Sequence, residues 1–444
     1  MQAHDIATRL QRGLSAATNG NCEAALAELK AVILLDAGVE VALNTIGVCE
    51  TRLGRPGNAT KSFEQVTKLA PASWQGWTNL GANYLTLNQL DKAVPALRRA
   101  TTLNPKATSA WSNLGLAFDA VGRHEESWRS LDRARRLDTR DPEIESAWTQ
   151  VAKKLVTKAA AYIENQEYQK AKSLLLEVRN AFPNSAVWHN LLGYSEFKLM
   201  NREPALQHLQ RAVQLQPDSE PYLLDLGEFF LVNRAVDAAR LVFEAGLKEL
   251  PSSEKLQLGL AMAFQLNKKY HESNLILRSL LVAKPQLELT YDLLGRSLEN
   301  TGEFSEMIEL GTRLQSVNQA SSLAWYLIGA GLFGKAAEDD AKLTEAVLAL
   351  EKSLSRDPSS TNAHFLLGKA SEKLGSTEKA LFELKETLRL DPHHQSAHYV
   401  LAQLYRKTGR SDLAAAEMEE HKLALRHRED SFFRLIVTAA PQNK

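Results

Sequence analysis

The sequence has little of what several specialised protein classes require. It contains 2 cysteines in 444 residues, which excludes a disulfide scaffold and a cysteine-rich zinc module. Its 53 basic residues are matched by 53 acidic ones, so no excess of positive charge points to nucleic acid. No apolar run approaches the roughly 18–20 residues needed to span a bilayer. With 44% hydrophobic and 24% charged residues, the composition is that of a folded protein.

The beginning of the sequence also lacks an export signal. The residues from Met1 to Ile6 do not combine a basic start with an apolar core. The compartment therefore stays open between the cytoplasm and, if a signal has been removed, the periplasm.

What the sequence has instead is an internal period of 34 residues. Within each repeat, position 8 is always Gly or Ala, and position 20 is Ala in nine of twelve repeats. Large apolar residues at positions 4, 7, 11 and 24 surround these small ones, at spacings that place 4, 7, 8 and 11 on one helical face. Gly near position 15 and Pro at position 32 are typical helix ends. Each repeat is therefore predicted to be a helix-turn-helix hairpin.

This pattern resembles the tetratricopeptide repeat, whose consensus is Trp-x2-Leu-Gly-x2-Tyr, then Ala-x3-Phe, then Pro. The third and fourth repeats carry it best, as Trp77, Leu80, Gly81, Tyr84, Ala93, Leu97 and Pro105, and as Trp111, Leu114, Gly115 and Phe118. The resemblance implies an all-α fold, a right-handed superhelical solenoid of stacked helix-turn-helix hairpins.

Twelve repeats cover nearly the whole chain and predict one solenoid over residues 1–444, with no second domain. Four repeats occupy residues 6–141 and eight occupy 152–428. The ten residues 142–151 between them are predicted to join the next helix, giving one long helix from about Pro142 to Asn165 with Asp141 as its cap. Five extra residues in the tenth repeat are predicted to lengthen its inter-helix turn. Residues 429–444 are predicted to cover the open apolar end of the last repeat, with a partner-binding hook as the alternative.

No residue pattern typical of catalysis, a cofactor or a metal is present. The sequence lacks a phosphate-binding Gly-rich loop, a His-Glu-x-x-His motif and a Gly-x-Ser-x-Gly motif. Cys22 and Cys49 are predicted to be free, buried thiols. His394 and His398 have the spacing of metal ligands on a helix. However, His364 and His398 occupy the position of Trp in the best repeats, which favours a half-buried packing role. We therefore predict no enzyme activity, no cofactor and no metal.

Basic residues concentrate on the second helices of the third and fourth repeats. Two interpretations are open: a solvated face, which we favour because helix C-termini attract cations, and a site for an anionic partner. The cluster comprises Arg98, Arg99, Arg129, Arg133, Arg135 and Arg136.

The first helices of the repeats are predicted to line a concave groove that binds extended partner segments. Positions 2, 5, 6, 9, 12 and 13 supply the candidates, which change from polar at the N-terminal end to aromatic and basic at the C-terminal end. They are Asn44, Asn79, Asn113, Asn190, Tyr194, Phe197, Tyr326, Phe333, Phe365, Lys369, Lys373, Tyr399, Arg406 and Lys407. The aromatic and basic end would suit an extended peptide with apolar and acidic side chains, although residues of the bare repeat consensus would give part of the same pattern.

The predicted function is a non-enzymatic scaffold or adaptor for unidentified protein or peptide partners. The variation between repeats resembles bacterial proteins of envelope, pilus or secretion assembly. The alternative is a regulatory or substrate-recruiting subunit of a larger enzyme complex, such as a glycosyltransferase. Nucleic acid is not an expected partner, no membrane-spanning segment is expected, and self-association stays open.

Overall fold

The chain folds entirely into helices over the residues that the structure describes. This computed structural model describes residues 2–336 and 339–424, and these contain α-helices, one 3-10 helix and no strand. The chain forms two compact units, Met1–Leu199 and Met200–Lys444. The all-α prediction is confirmed. The single solenoid over 1–444 stays a prediction.

Unit 1 holds eleven of the described α-helices. In chain order they are α1 Gln2–Thr18, α2 Cys22–Leu35, α3 Glu40–Arg52, α4 Pro56–Leu69, α5 Trp74–Thr86, α6 Leu90–Leu103, α7 Thr108–Ala120, α8 His124–Leu137, α9 Pro142–Glu164, α10 Tyr168–Glu177 and α11 Ala186–Lys198, with the 3-10 helix at Arg179–Ala181.

Unit 2 holds twelve α-helices with both ends described. They are α12 Arg202–Leu215, α13 Glu220–Val232, α14 Val236–Glu249, α15 Glu254–Leu266, α16 Tyr270–Ala283, α17 Glu288–Thr301, α18 Phe304–Val317, α19 Ser322–Ala336, α20 Asp340–Arg356, α21 Thr361–Lys373, α22 Thr377–Leu390 and α23 Gln395–Lys407. Residues 411–424 are also helical. The predicted capping segment, residues 429–444, lies outside the described residues.

The turn inside each hairpin depends on a left-handed residue near position 15. Six glycines adopt this conformation, with φ between 73° and 82°. Five other repeats reach it with Asn88, Gln166, Met200, Arg234 and Lys268, at φ between 55° and 65°. Gly adopts positive φ at the lowest conformational energy, so it indicates this turn in the sequence. The other five residues adopt the same backbone conformation although they do not favour it.

The small residue at position 8 allows the close contact on which the hairpin prediction rested. A Cβ atom at Gly81 would lie 2.5 Å from Cγ of Leu97, and one at Gly115 would lie 2.5 Å from Cγ of Leu131. Within each unit, first helices also contact the first helix of the next repeat, as α5 contacts α7 and α19 contacts α21. The first helices therefore form a continuous layer in each unit, and this layer carries the predicted groove positions.

The two irregular regions of the repeat array behave differently. The long helix after the fourth repeat is confirmed as α9, and the Asp141 side chain accepts hydrogen bonds from the N–H groups of Glu143 and Ile144 at 2.9 and 3.2 Å. The prediction that the inter-helix turn of the tenth repeat is lengthened is wrong. The insertion extends the helices, since α19 has 15 residues and α20 has 17, whereas α5 and α6 have 13 and 14. Asp339 starts α20 by accepting a hydrogen bond from the N–H of Ala341 at 3.1 Å.

The two cysteines are free and buried, as predicted. Burial and a hydrogen bond to Cys22 raise the pKa of the Cys49 thiol to about 12.

We expect iodoacetamide to modify Cys49 in the native protein at pH 8 at least about a hundredfold more slowly than in guanidinium, because the thiolate is the reactive species. Labelling followed by mass spectrometry of the peptide that contains Cys49 measures the two rates. Equal rates in the two states would contradict the burial of this thiol. The native rate should rise with pH up to about 12, as the thiolate forms.

None of the helices within residues 2–336 and 339–424 combines the length and apolar character that crossing a membrane requires.

Candidate functional site

A cavity of about 430 Å³ opens on the first-helix layer of unit 2, where the sequence predicts the aromatic and basic end of the groove. Four predicted site residues line it: Tyr326, Phe333, Phe365 and Lys369. They come from α19 and α21, the first helices of the tenth and eleventh repeats. The structure thus brings part of the predicted set into one cavity of a size that accepts a large side chain.

The aromatic rings of this cavity surround a half-buried ammonium group. Nζ of Lys369 lies 5.2 Å from the ring centre of Phe333 and 5.4 Å from that of Phe365. Nζ of Lys373 lies 5.2 Å from the same Phe333 ring. Burial and the neighbouring charge of Lys373 lower the pKa of Lys369. Within the described residues Lys369 forms no close ion pair, but Glu299 and Glu372 attract its charge.

The opposite wall, on α17, carries the acidic groups. Arg296 binds Asp292 one turn away at 3.0 Å, so these two charges compensate each other. Glu299 has no close ion-pair partner within residues 2–336 and 339–424. The apolar surroundings desolvate its carboxylate enough to raise the pKa of Glu299, against the attraction of Arg296 and Lys369. Desolvation also raises the pKa of Tyr326, whose ring lies between the two walls.

The end of the cavity is closed by His394, which precedes α23. Its Nδ1 accepts a hydrogen bond from the N–H of Ala397 at 3.1 Å and so caps this helix. Its ring lies 4.6 Å from that of Phe365, and burial lowers the pKa of His394. Both observations indicate a neutral imidazole with Nδ1 as acceptor.

The packing role predicted for His364 and His398 is confirmed, because both side chains are buried. Nδ1 of His364 lies 2.5 Å from Oε2 of Glu383, and its Nε2 lies 3.1 Å from the carbonyl oxygen of Pro358. With both nitrogens engaged, His364 has no free ligand atom for a metal. The equivalent distances are 2.6 Å from His398 to Glu417 and 3.0 Å from His398 to Pro392. No group of three or more His, Cys, Asp or Glu side chains in the described ranges could hold a metal ion.

Three predicted residues at the C-terminal end do not join the cavity. Tyr399 is 44% exposed and its ring lies 5.5 Å from that of His421. Lys407 forms an ion pair with Glu372 of α21. Arg406 is exposed in the last turn of α23 and does not line the cavity. The prediction extended the groove along repeats 11 and 12, but the cavity ends at His394 and Ser396, at the start of α23.

Two of the four predicted asparagines of unit 1 form a hydrogen bond with each other. Nδ2 of Asn79 donates to Oδ1 of Asn44 at 2.8 Å, and Asn113 is half-buried on α7. Asn190 and Phe197 on α11 are buried rather than open to the groove.

The Phe197 ring is in contact with neighbouring side chains of α11. The Phe197 ring packs edge-on against Tyr194 at 6.2 Å, and Nζ of Lys198 lies 4.6 Å from the Phe197 ring centre. A bulky ring at this position is covered by its own neighbours, which is why position 12 does not guarantee exposure.

Ten of the fourteen residues that line the cavity were not among the predicted site residues. Asp292, Arg296 and Glu299 occupy groove positions 5, 9 and 12 of the ninth repeat. These positions were among those predicted to line the groove, so the sequence could have identified the three residues. Phe304 belongs to a second helix, α18, and no groove position pointed to it. The remaining polar lining residues that were missed are Asn362, His394 and Ser396.

The basic cluster of the third and fourth repeats is largely neutralised by carboxylates. The interpretation as a solvated face is therefore the better supported one. The pairs are Arg98 with Glu126 at 3.2 Å, Arg129 with Glu177 at 2.7 Å, Arg135 with Glu145 at 2.6 Å and Arg136 with Asp132 at 2.7 Å.

Comparison with known proteins gives a repeat family along much of the chain. Two family models, both described as tetratricopeptide repeat, match the sequence. One matches residues 78–142, 192–254, 332–386 and 383–425, and the other matches residues 155–185. No curated protein matches the sequence.

Several solved structures are similar at low identity. The Cut9–Hcn1 hetero-tetramer of the APC/C is 12% identical over 98% of this chain and 96% of that chain, with a TM-score of 0.43. A MamA structure is 17% identical over 50% of this chain and 96% of that one, with a TM-score of 0.30. PilF of Pseudomonas aeruginosa is 18% identical over 52% and 98%, with a TM-score of 0.32.

Proposed function

Because the chain belongs to the tetratricopeptide repeat family, we propose that it is a scaffold that binds extended segments of partner proteins along the first-helix layer. Proteins of this family are protein-binding and generally non-catalytic. The observation that carries the proposal is the cavity of unit 2, where Phe333, Phe365 and Lys369 present rings and a cation to solvent. Aromatic and cationic groups of this kind are frequent anchors of protein interfaces.

The proposal includes the absence of catalysis by the chain itself. The histidine that lines the cavity, His394, uses its Nδ1 to cap α23. The setting that we propose to test first is the assembly of a bacterial envelope, pilus or secretion complex, on the grounds of the variation between repeats.

We expect a variant that combines Phe333→Leu and Lys369→Glu to capture at least one partner of the full chain in an amount reduced tenfold or more. The leucine keeps the apolar volume, whereas the glutamate reverses the charge at the cavity rim. Affinity capture from the source organism, quantified by mass spectrometry, measures the loss.

Phe382→Ala provides the matched control, because this ring is 60% exposed on α22, a second helix, and does not line the cavity. Circular dichroism must show that each variant keeps its helices. A partner set that is unchanged in the cavity variant would contradict the proposal.

A further inference from the structure

We propose that the cavity of unit 2 binds an extended peptide segment in which one apolar side chain is flanked, two residues away on each side, by an acidic and a basic residue. This inference rests on the proposed function and specifies the chemistry of its partner. The acidic residue would face Lys369 on α21, and the basic residue would face Glu299 on α17.

The first support is a pair of opposite charges on the two walls, neither of which is held in a close ion pair. Lys369 and Glu299 lie on different helices across the cavity, and neither forms a close ion pair with another described residue. They attract each other across the cavity, and Glu372 also attracts Lys369. A counter-charge of a ligand in direct contact would stabilise each partly desolvated group more than this attraction across the cavity does, and two walls of opposite sign favour a ligand that carries both signs.

The second support is the apolar floor between the two charges. Phe304, Tyr326, Phe333 and Phe365 line the same cavity, and Phe304 enters it because α19 has Gly334 at this point. A Cβ atom at Gly334 would lie 2.3 Å from Cδ1 of Phe304. A volume of about 430 Å³ accommodates one large apolar side chain together with the tips of two charged ones.

The third support is the spacing of the walls. The helix α19 lies between α17 and α21 and contacts both of them. Neighbouring helix axes are about 8–10 Å apart, which places the outer two axes up to roughly 16–20 Å apart. In an extended peptide, residues i−2, i and i+2 point to one side, and i−2 and i+2 are about 13–14 Å apart. Charged side chains at those two positions would reach the walls while residue i enters the floor.

Two fluorescein-labelled peptides test the inference by fluorescence anisotropy with the full chain. They are Ser-Gly-Asp-Ala-Leu-Ala-Lys-Gly-Ser and the same peptide with Asp and Lys exchanged, because the chain direction in the cavity is not fixed by the charges. A third peptide carries Asp at both positions. We expect one of the two dipolar peptides to bind at least about tenfold more tightly than the other two peptides.

A charge-swapped variant gives the decisive measurement. Glu299→Lys combined with Lys369→Glu is expected to prefer the opposite dipolar peptide, again by about tenfold. The control combines Glu378→Lys and Lys385→Glu, which exchanges two exposed charges on α22 at the same net charge and should keep the original preference.

Three results would overturn the inference: an unchanged preference in the charge-swapped variant, equally tight binding of the peptide with two Asp residues, or no binding of any peptide. In each case the scaffold proposal would still stand if the Phe333→Leu and Lys369→Glu variant lost native partners. If that variant retained every partner, the scaffold proposal would fail at this cavity as well.

Discussion

Replacing Gly311 with valine is expected to destabilise the packing of α18 on α19 by about 3 kcal/mol or more, because there is no room for a side chain at this point. A Cβ atom at Gly311 would lie 2.7 Å from the carbonyl oxygen of Ala324 and 3.0 Å from the backbone nitrogen of Ile328. These are backbone atoms, so relief requires a shift of an entire helix.

The contact between α18 and α19 is also tight at Gly331 of α19. A Cβ atom at Gly331 would lie 2.9 Å from the carbonyl oxygen of Phe304 and 2.6 Å from Cγ1 of Ile308. Gly331→Val should therefore have an effect similar to that of Gly311→Val. A separation of α18 from α19 would also displace Phe304 from the cavity, so peptide binding should weaken together with local stability.

Hydrogen exchange of residues 304–336, followed by mass spectrometry, measures the effect where it arises, because repeat proteins open locally and a single global transition is not assured. Gly57→Ala is the control. Apart from the neighbouring residues of its own helix, no atom lies within 4 Å of the position of its Cβ, so this change should leave stability unaltered or raise it by up to about 1 kcal/mol. Unchanged exchange in Gly311→Val would show that the two helices are not in close contact.

Features with local causes could be predicted from the sequence. The start of α9 is an example, because Asp141 and Pro142 form a cap and a first-turn proline that need no distant partner. The left-handed turns at Gly54 and Gly122 are another, since glycine there has a backbone reason. Because these local features recur with a period of 34 residues, they could be predicted for each repeat in turn.

Features that depend on distant residues could not be predicted. Arg129 pairs with Glu177, 48 residues away, and no repeat position points to this partner because a ten-residue insertion lies between them. Phe304 enters the cavity only because Gly334 and Gly331 bring α18 and α19 together. The groove map selected side chains by helical position alone, so it included Phe197, which is buried, and omitted Glu299.

Position 4 shows how one physical role can be concealed by different residue types. The side chain there donates a hydrogen bond to a proline carbonyl oxygen six residues earlier. It does so in several repeats, with distances of 3.0 Å for Trp77, 3.1 Å for Trp111, 2.9 Å for Gln257 and 2.9 Å for Tyr291. A shared hydrogen-bond donor at position 4 thus replaces the conserved Trp of the consensus.

His364 takes this role and adds a charge interaction, and His364→Leu is expected to destabilise the eleventh repeat by about 3–5 kcal/mol. The carbonyl oxygen of Pro358 can only accept, so Nε2 of His364 carries a proton. Nδ1 then meets the carboxylate of Glu383, which is 7% exposed. Loss of the imidazole would leave this buried carboxylate without its partner.

The double variant His364→Leu with Glu383→Leu should recover most of the loss, because a buried ion pair replaced by packed apolar side chains is often nearly neutral. Hydrogen exchange of residues 361–390 in the wild type, both single variants and the double variant yields the coupling energy. The control is His271→Leu, an exposed histidine on α16, which should change stability by no more than about 0.5 kcal/mol. Additive effects of the two substitutions would show that His364 acts through packing alone, whereas a coupling of a few kcal/mol would show that Glu383 is held in the core by its imidazole partner.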